Sequence, residues 1–385
     1  MTSSAIRIRS VRRATLVGIL AAALATGASG ALPGAALAAP GDRAGSGVVF
    51  SAAQASPAAA RAAGGRGFAQ AVQQYWTPAR MKSAVSADAL VATRAKPTRT
   101  QAAAASTPDG PSGRVAPAAP AKPPRAAAGK NAAGAAAAGT TTAGRAATHG
   151  RQALANGSAA DWPGNFWSAP ATTTGKVFFT GANGGNYVCS GSTVNSEARN
   201  TVFTAGHCVS DGQGRWHHNW VFVPDYLNGW APFGVWSAKA LGTTSQWFYS
   251  GDFRHDIGAA VLHKNSSGQN LINIVGGQGI AWNQARGQYV YAFGYPQAAP
   301  FDGTRLKYCD GASFNDPWSG NANLGLYCNM TGGSSGGPWL AWFNGTWGYV
   351  NGVNSYKYGS LPQYIFSPYF GSTAGALYNA VRYYY

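Results

Sequence analysis

Acidic side chains are scarce in this chain: 12 Asp and Glu stand against 29 Lys and Arg among 385 residues. The shortage is uneven. Residues 1–151 carry 18 basic groups but only Asp42, Asp88 and Asp109, whereas residues 152–385 carry 11 basic and 9 acidic groups. The formal charge of +17 therefore belongs to the N-terminal part. The C-terminal part lacks the clustered cations that nucleic-acid binding requires. Long apolar runs are also missing. The best candidate, ATLVGILAAALA at 14–25, is too short for a membrane span and breaks up into TGASGALPG. With Arg7, Arg9, Arg12 and Arg13 before it and the small residues ALA at 36–38 after it, it reads as a secretory signal peptide over 1–38. No cysteine lies near that site to carry a lipid, and the flanks of Arg12-Arg13 match a twin-arginine signal poorly, so ordinary export is expected.

Cysteine is limited to Cys189, Cys208, Cys309 and Cys328. The paired spacings of a zinc site are absent, and no metal or other cofactor is implied. In an oxidising compartment an even count reads as two disulfides. Three pairings are open; the local ones, 189–208 and 309–328, would each stabilise by roughly 3 kcal/mol in the chain-entropy model.

What is present divides the chain. Residues 39–157 are rich in Ala, Pro, Gly, Ser, Thr and Arg, and a tract such as AAAGKNAAGAAAAGTTTAGRAA (126–147) has little to bury, so the region reads as a largely disordered propeptide and linker. One island, FAQAVQQYWTPARMKSAV (68–85), places Phe68, Val72 and Tyr75/Trp76 at helical spacing, either a stray amphipathic turn or a docking element. From about residue 158 the character changes. Twelve of the 13 tryptophans lie there, with short β-prone runs separated by turn signals: KVFFT, YVCSGSTV, TVFTAGHCV, WVFVP, IGAAVL, YVYAFGYP. WLAWF-NG-TWGYV predicts a hairpin with a type I′ turn at Asn344-Gly345. Only the end, TAGALYNAVRYYY, reads as helix. Residues 158–385 thus read as a single all-β domain, barrel or sandwich.

The stretch MTGGSSGGPWL (330–340) crowds glycines around two serines, and Gly333 to Gly337 fits G-x-S-x-G. In an α/β-hydrolase the acid and histidine follow the serine, but after Ser335 this chain has no Asp, Glu or His. The partners must lie upstream. His149 falls in the linker, His217-His218 in a polar turn that reads as solvated, and His255 and His263 flank an apolar strand. His207 ends a strand in TVFTAGHCV beside a cysteine that can pin it. For the acid, Asp256 leads into IGAAVL, where a carboxylate would be shielded and fixed, as the orienting member of a triad must be; Asp252, in SGDFR, is the competitor.

TAGHC, HDIGAAVL and TGGSSGGP, in the order His–Asp–Ser, resemble the chymotrypsin-fold serine proteases, and CSGSTV before TAGHC matches that family's strand with the first half-cystine. YAFGYP and TGGSSGGP look closer to the bacterial glutamyl endopeptidase branch. The resemblance covers residues 175–360, with a terminal helix. It implies two six-stranded antiparallel β-barrels, a Cys189–Cys208 staple, a secreted zymogen, and a triad of Ser335 as nucleophile, His207 as base and Asp256 as orienting group. It also implies an oxyanion hole from the N–H groups of Gly333 and Ser335. Ser334 stands where many relatives carry an Asp that pairs with the freshly cut N-terminus, so activation should instead uncover the cleft.

For the substrate pocket the resemblance points to Asn329, Met330, Asn354 and Ser355. Asn329 replaces the Asp of trypsin-like relatives, and Met330 and Asn354 replace the Thr and His of glutamyl endopeptidases. A neutral or apolar residue is therefore expected on the acyl side of the cut bond, with the Ser355 carbonyl pairing with the substrate strand. The expected protein is a secreted monomeric endopeptidase acting on protein or peptide, with no nucleic-acid partner and no membrane association after signal cleavage. The competing expectation is an inactive domain of the same fold that binds protein or polysaccharide through its aromatics.

Overall fold

The computed structural model describes residues 47–62, 67–91, 108–122, 157–164 and 166–385, all within one compact unit. The expected signal peptide and the Ala-rich tract at 126–147 lie outside the described residues.

The N-terminal part contributes strands β1 (Val48–Ala52), β2 (Val85–Ser86) and β3 (Gly113–Val115), and helices α1 (Pro57–Ala62), α2 (Phe68–Tyr75), α3 (Pro78–Ser83) and α4 (Asp88–Val91). Strands β4 (Ala160–Asp161) to β10 follow: β5 (Thr174–Thr180), β6 (Asn186–Val194), β7 (Thr201–Thr204), β8 (His218–Pro224), β9 (Trp236–Thr244) and β10 (Gly258–Leu262). Pairing runs β5–β6–β7–β10–β9–β8 and returns to β5, every pair antiparallel, so this half is a closed six-stranded barrel. Closure removes the exposed edges that would otherwise invite association. Every residue of β5 is buried. Because side chains alternate along a strand, Val177 and Phe179 share one face, and Phe178 points the other way to meet Trp76 of the N-terminal segment, ring centroids 5.5 Å apart.

The second half is less regular. It holds β11 (Gly279–Trp282), β12 (Tyr289–Gly294), β13 (Lys307–Ala312), β14 (Phe314–Asn315), β15 (Leu324–Tyr327), β16 (Pro338–Ala341), β17 (Tyr349–Val353) and β18 (Tyr364–Ser367). One sheet runs β3–β11–β17–β16–β12–β13–β4, and a smaller one runs β14–β15–β18. A bridge between Tyr356 and Phe366 and the Cys309–Cys328 disulfide tie the two. The hairpin β16–β17 is present, but its turn is not type I′. Only Gly345 of the expected pair has positive φ, while the Asn344 side chain accepts the N–H groups of Thr346 and Trp347. The side-chain turn replaces the backbone one. The chain closes with the expected helix, numbered here after two short internal ones, α5 (Ser245–Ser250) and α6 (Ile272–Val275), as α7 (Ser372–Val381).

The island at 68–85 is a docking element. Trp76 Nε1 donates to Asn219 O at 2.6 Å, Gln73 Nε2 to Val235 O at 3.0 Å, and Tyr75 OH to Asn186 Oδ1 at 3.1 Å. β1 adds to β9 over five antiparallel pairs. Farther on, β3 pairs with β11, and Asp109 Oδ1 accepts the Ser372 N–H at 2.7 Å, capping α7 from outside the helix. The described parts of 47–122 therefore fold against both halves. Among the described residues no helix is long and apolar enough to cross a membrane.

Candidate active site

Thr201–Thr204 delivers the chain to a short 3₁₀ turn, Gly206–Cys208, that carries His207. A Cβ at Gly206 would lie 2.6 Å from the Trp247 ring and 2.9 Å from Asp256 Oδ1, so the missing side chain is what lets the acid and the indole close on this turn. Thr244 places that indole by capping α5, accepting the Trp247 N–H at 3.1 Å. The Cys189–Cys208 disulfide fixes the turn to β6.

Asp256 is fully buried and grips His207 at two points. Oδ1 accepts the His207 backbone N–H at 2.7 Å, and Oδ2 accepts Nδ1–H at 2.8 Å. Ser355 Oγ donates to the same Oδ2 at 2.6 Å. With the proton on Nδ1, the lone pair of the neutral ring sits on Nε2. Asp252 is occupied elsewhere: it caps the turn Phe253–His255 and pairs with Arg254, Nη2 to Oδ2 2.7 Å. His217 is not solvated, contrary to the reading of its polar flanks. It is fully buried, stacks on Phe179 at 4.3 Å, and Nε2 donates to the His207 carbonyl at 3.1 Å. Burial depresses its pKa to about 3, which keeps it neutral.

The serine segment packs against the histidine segment. The Ser335 carbonyl accepts the Ser190 N–H at 2.7 Å and lies 3.6 Å from Cys208 Sγ. A Cβ at Gly336 (φ +81) would sit 2.0 Å from Thr204 Oγ1. Gly332 and Gly333 form the centre of a turn closed by the Ser334 N–H to Thr331 O, 3.2 Å, with Gly333 at φ +101. The Gly332 carbonyl accepts from the N–H groups of Gln297 (2.8 Å) and Ala298 (3.0 Å). A trans peptide holds its N–H opposite its C=O, so the Gly333 N–H points away from these anchors. Among the described residues no acceptor is recorded for the N–H of Gly333 or of Ser335. Ser334 is not an ion-pair partner: Oγ donates to Thr331 O at 2.8 Å, and its carbonyl accepts Asn354 Nδ2 at 2.9 Å. Among the described residues, these Ser334 hydrogen bonds go to neutral groups.

The Ser335 hydroxyl itself is engaged by the N-terminal segment. Oγ donates to Asp88 Oδ1 at 2.8 Å. Asp88 arrives there because β2 runs parallel to β6, the Ala87 N–H donates to Val188 O at 3.0 Å, and Gln297 Nε2 donates to Ala84 O at 2.6 Å.

Beside Ser335 lies a small pocket lined by Asp88, Met330, Thr331, Ser355, Lys357 and Ile365. Of the four residues assigned to the pocket from sequence, Met330 and Ser355 line it; Asn329 and Asn354 do not. Asn329 Oδ1 accepts the Ala159 N–H at 2.8 Å, tying down the segment that enters the second half. Asn354 is buried and bonds to Phe293 O, Ser334 O and Trp339 Nε1, bracing the serine turn. Spacing from Ser335 could not reveal this, because Asn329 Oδ1 is taken by a backbone N–H 170 residues away and the Asn354 amide by partners 15 to 61 residues away. The sequence reading missed Asp88 and Lys357. The one signal for Asp88 was that acids are so rare before residue 152.

A scan against family models finds no match, and a search of curated proteins finds none. Solved structures do match. The protease Anisep from Arthrobacter nicotinovorans is 46% identical, with 55% of this chain and 96% of that one covered and a TM-score of 0.53. A thermostable serine protease, AL20, from an extremophilic microorganism is 47% identical, with 56% and 99% covered and a TM-score of 0.53. A Glu endopeptidase structure also matches, at 16% identity and a TM-score of 0.47, which gives no reason to narrow the assignment to that branch. With almost the whole of two protease chains matched at nearly half identity, and a closed barrel framing the His207–Asp256 pair, the chain belongs to the chymotrypsin-fold serine proteases.

Proposed function

We propose that the protein is a secreted serine endopeptidase made as a latent precursor, with a signal peptide over 1–38, a prosegment over 39–157 and the protease over 158–385. The observation that carries this is the two-point grip of buried Asp256 on His207, which fixes the tautomer and orientation that a general base needs. Ser335 Oγ attacks the scissile carbonyl while His207 Nε2 takes its proton. The negative charge that develops on the carbonyl oxygen is met by the N–H groups of Gly333 and Ser335, for which one donor is worth on the order of 100- to 1000-fold in rate. His207 then protonates the leaving amine, and water, activated by the same ring, hydrolyses the acyl-enzyme. The reaction needs no cofactor, and the substrate is a protein or peptide bound by a monomer.

Latency follows from Asp88. A serine hydroxyl has one proton to donate, and Ser335 gives it to Asp88, so it cannot at the same time give it to His207. Matched protease chains cover just over half of this chain, which leaves a long additional segment consistent with a removable prosegment. Two disulfides fit an oxidising destination.

A fluorophosphonate probe tests the reading. The processed wild type should be labelled and Ser335→Ala should not. A folded, processed wild type that resists the probe would leave a binding module as the better account.

A further inference from the structure

Lys357 lies in the pocket beside the catalytic serine, and no part of the mechanism above uses it. Its Nζ donates to Met330 O at 2.8 Å and to Cys328 O at 3.3 Å. An ammonium has three donors, so one remains for a ligand. Both recorded partners are neutral carbonyls, and among the described residues no carboxylate pairs with it at ion-pair distance. Burial lowers its pKa to about 8 against the opposing pull of Asp88, so it stays mostly cationic at neutral pH. The other lining groups named above, Met330, Thr331, Ser355 and Ile365, bear no charge. Asp88 is the one acid at the pocket, and it belongs to the N-terminal segment.

A largely desolvated cation whose hydrogen bonds go only to neutral carbonyls favours a ligand that brings the opposite charge. We propose that this pocket is a carboxylate-binding specificity subsite in which Lys357 recognises an acidic side chain on the acyl side of the scissile bond, so that the enzyme cleaves after Asp or Glu. This replaces the neutral or apolar preference expected from Asn329, Met330 and Asn354. It rests on the protease reading and adds its substrate class. The prosegment places its own acid at the same pocket, where it attracts Lys357 while holding the Ser335 hydroxyl. A basic side chain in the pocket would face Lys357 directly and be disfavoured.

The test uses the full chain carrying Asp88→Ala, which frees the Ser335 hydroxyl and raises the open fraction without excising the prosegment. Matched peptides differing only in the residue before the cut (Glu, Asp, Gln, Phe or Lys) are compared by kcat/KM, with fluorophosphonate labelling of Ser335 measured alongside. Glu or Asp should exceed Gln by at least tenfold, and Lys should be the poorest. Lys357→Met should collapse the Glu-over-Gln ratio roughly 10- to 100-fold, the range for losing a charge-assisted hydrogen bond, with labelling retained. Lys357→Arg should keep the acid preference. If Ser335 is labelled but Gln or Phe peptides are cleaved best, the subsite proposal is wrong and the protease reading stands. If neither this chain nor the processed wild type is labelled or cleaves any of the peptides, both fall. The ranking in the Asp88→Ala parent leaves Lys357 and the other lining residues of the protease part unchanged, so it decides the matter even if a Lys357 variant fails to fold.

Discussion

Removing the Asp88 carboxylate should release the nucleophile, and the size of the release follows from the contact it makes. A hydrogen bond to an ionised group contributes about 1.5–3 kcal/mol, so Asp88→Ala should raise the open fraction of the precursor roughly 10- to 150-fold. The rest of the segment remains held by the Ala87 N–H to Val188 O bond, by Gln297 on Ala84 O and by the docking of Trp76, so the effect is an increase in opening, not detachment. Asp88→Asn keeps an acceptor but loses the charge. It should fall between the two, a few-fold to about tenfold above wild type, since a neutral hydrogen bond contributes about 0.5–1.5 kcal/mol. The assay is the second-order rate of fluorophosphonate labelling of the uncleaved chain, each sample checked for intact prosegment by gel. The order wild type, Asn, Ala is expected. Equal rates across all three would refute the idea that this carboxylate restrains Ser335.

Three other outcomes are expected. Asp256→Asn should lower kcat by roughly 10⁴-fold by favouring the wrong imidazole tautomer, while Asp252→Asn, which breaks only the pairing with Arg254, should leave it within a few-fold; the reverse pattern would misplace the acid. His217 should make the fold acid-sensitive. Its folded pKa is about 3 against 6.5 unfolded, so the unfolded state binds the extra proton and stability falls as pH drops below about 6.5, by on the order of 2–3 kcal/mol near pH 4.5. His217→Gln should flatten that part of a pH-dependent urea titration; an unchanged slope would count against it. Cys208→Ser should remove a cross-link between residues 19 apart, stabilising by roughly 3 kcal/mol, and lower Tm by about 6–12 °C under oxidising conditions.

Much of the candidate site's local geometry was legible because the chemistry proposed for it constrains the chain locally. His207 needs the strand end and cystine of TAGHC, Ser335 needs glycines that let the backbone close on Thr204 and Tyr295, and Asp256 needs the apolar strand that shields it. The all-β character followed from short alternating runs, but the division of the second half into two sheets did not, since contacts distant in sequence join them, such as the Val353 N–H to Ser367 Oγ and the Cys309–Cys328 disulfide. Two of the four residues assigned to the pocket, Asn329 and Asn354, do not line the one beside Ser335, for a related reason. Counting positions from the nucleophile assumes that each side chain faces the pocket, and Asn329 and Asn354 face backbone partners instead. His217 was misread because polar neighbours in sequence say little about a side chain stacked on Phe179 inside a barrel. Asp88 acts 247 residues from its partner, a distance at which no local pattern carries information.

The central claim is that Ser335 becomes acylated during turnover. Quenching the Asp88→Ala chain with an ester substrate and mapping its peptides by mass spectrometry measures this directly. The account predicts the acyl group on the peptide containing Ser335, absent from the same chain with His207→Ala. Turnover of the ester with that serine unmodified throughout, or with the acyl group on another residue, would contradict it.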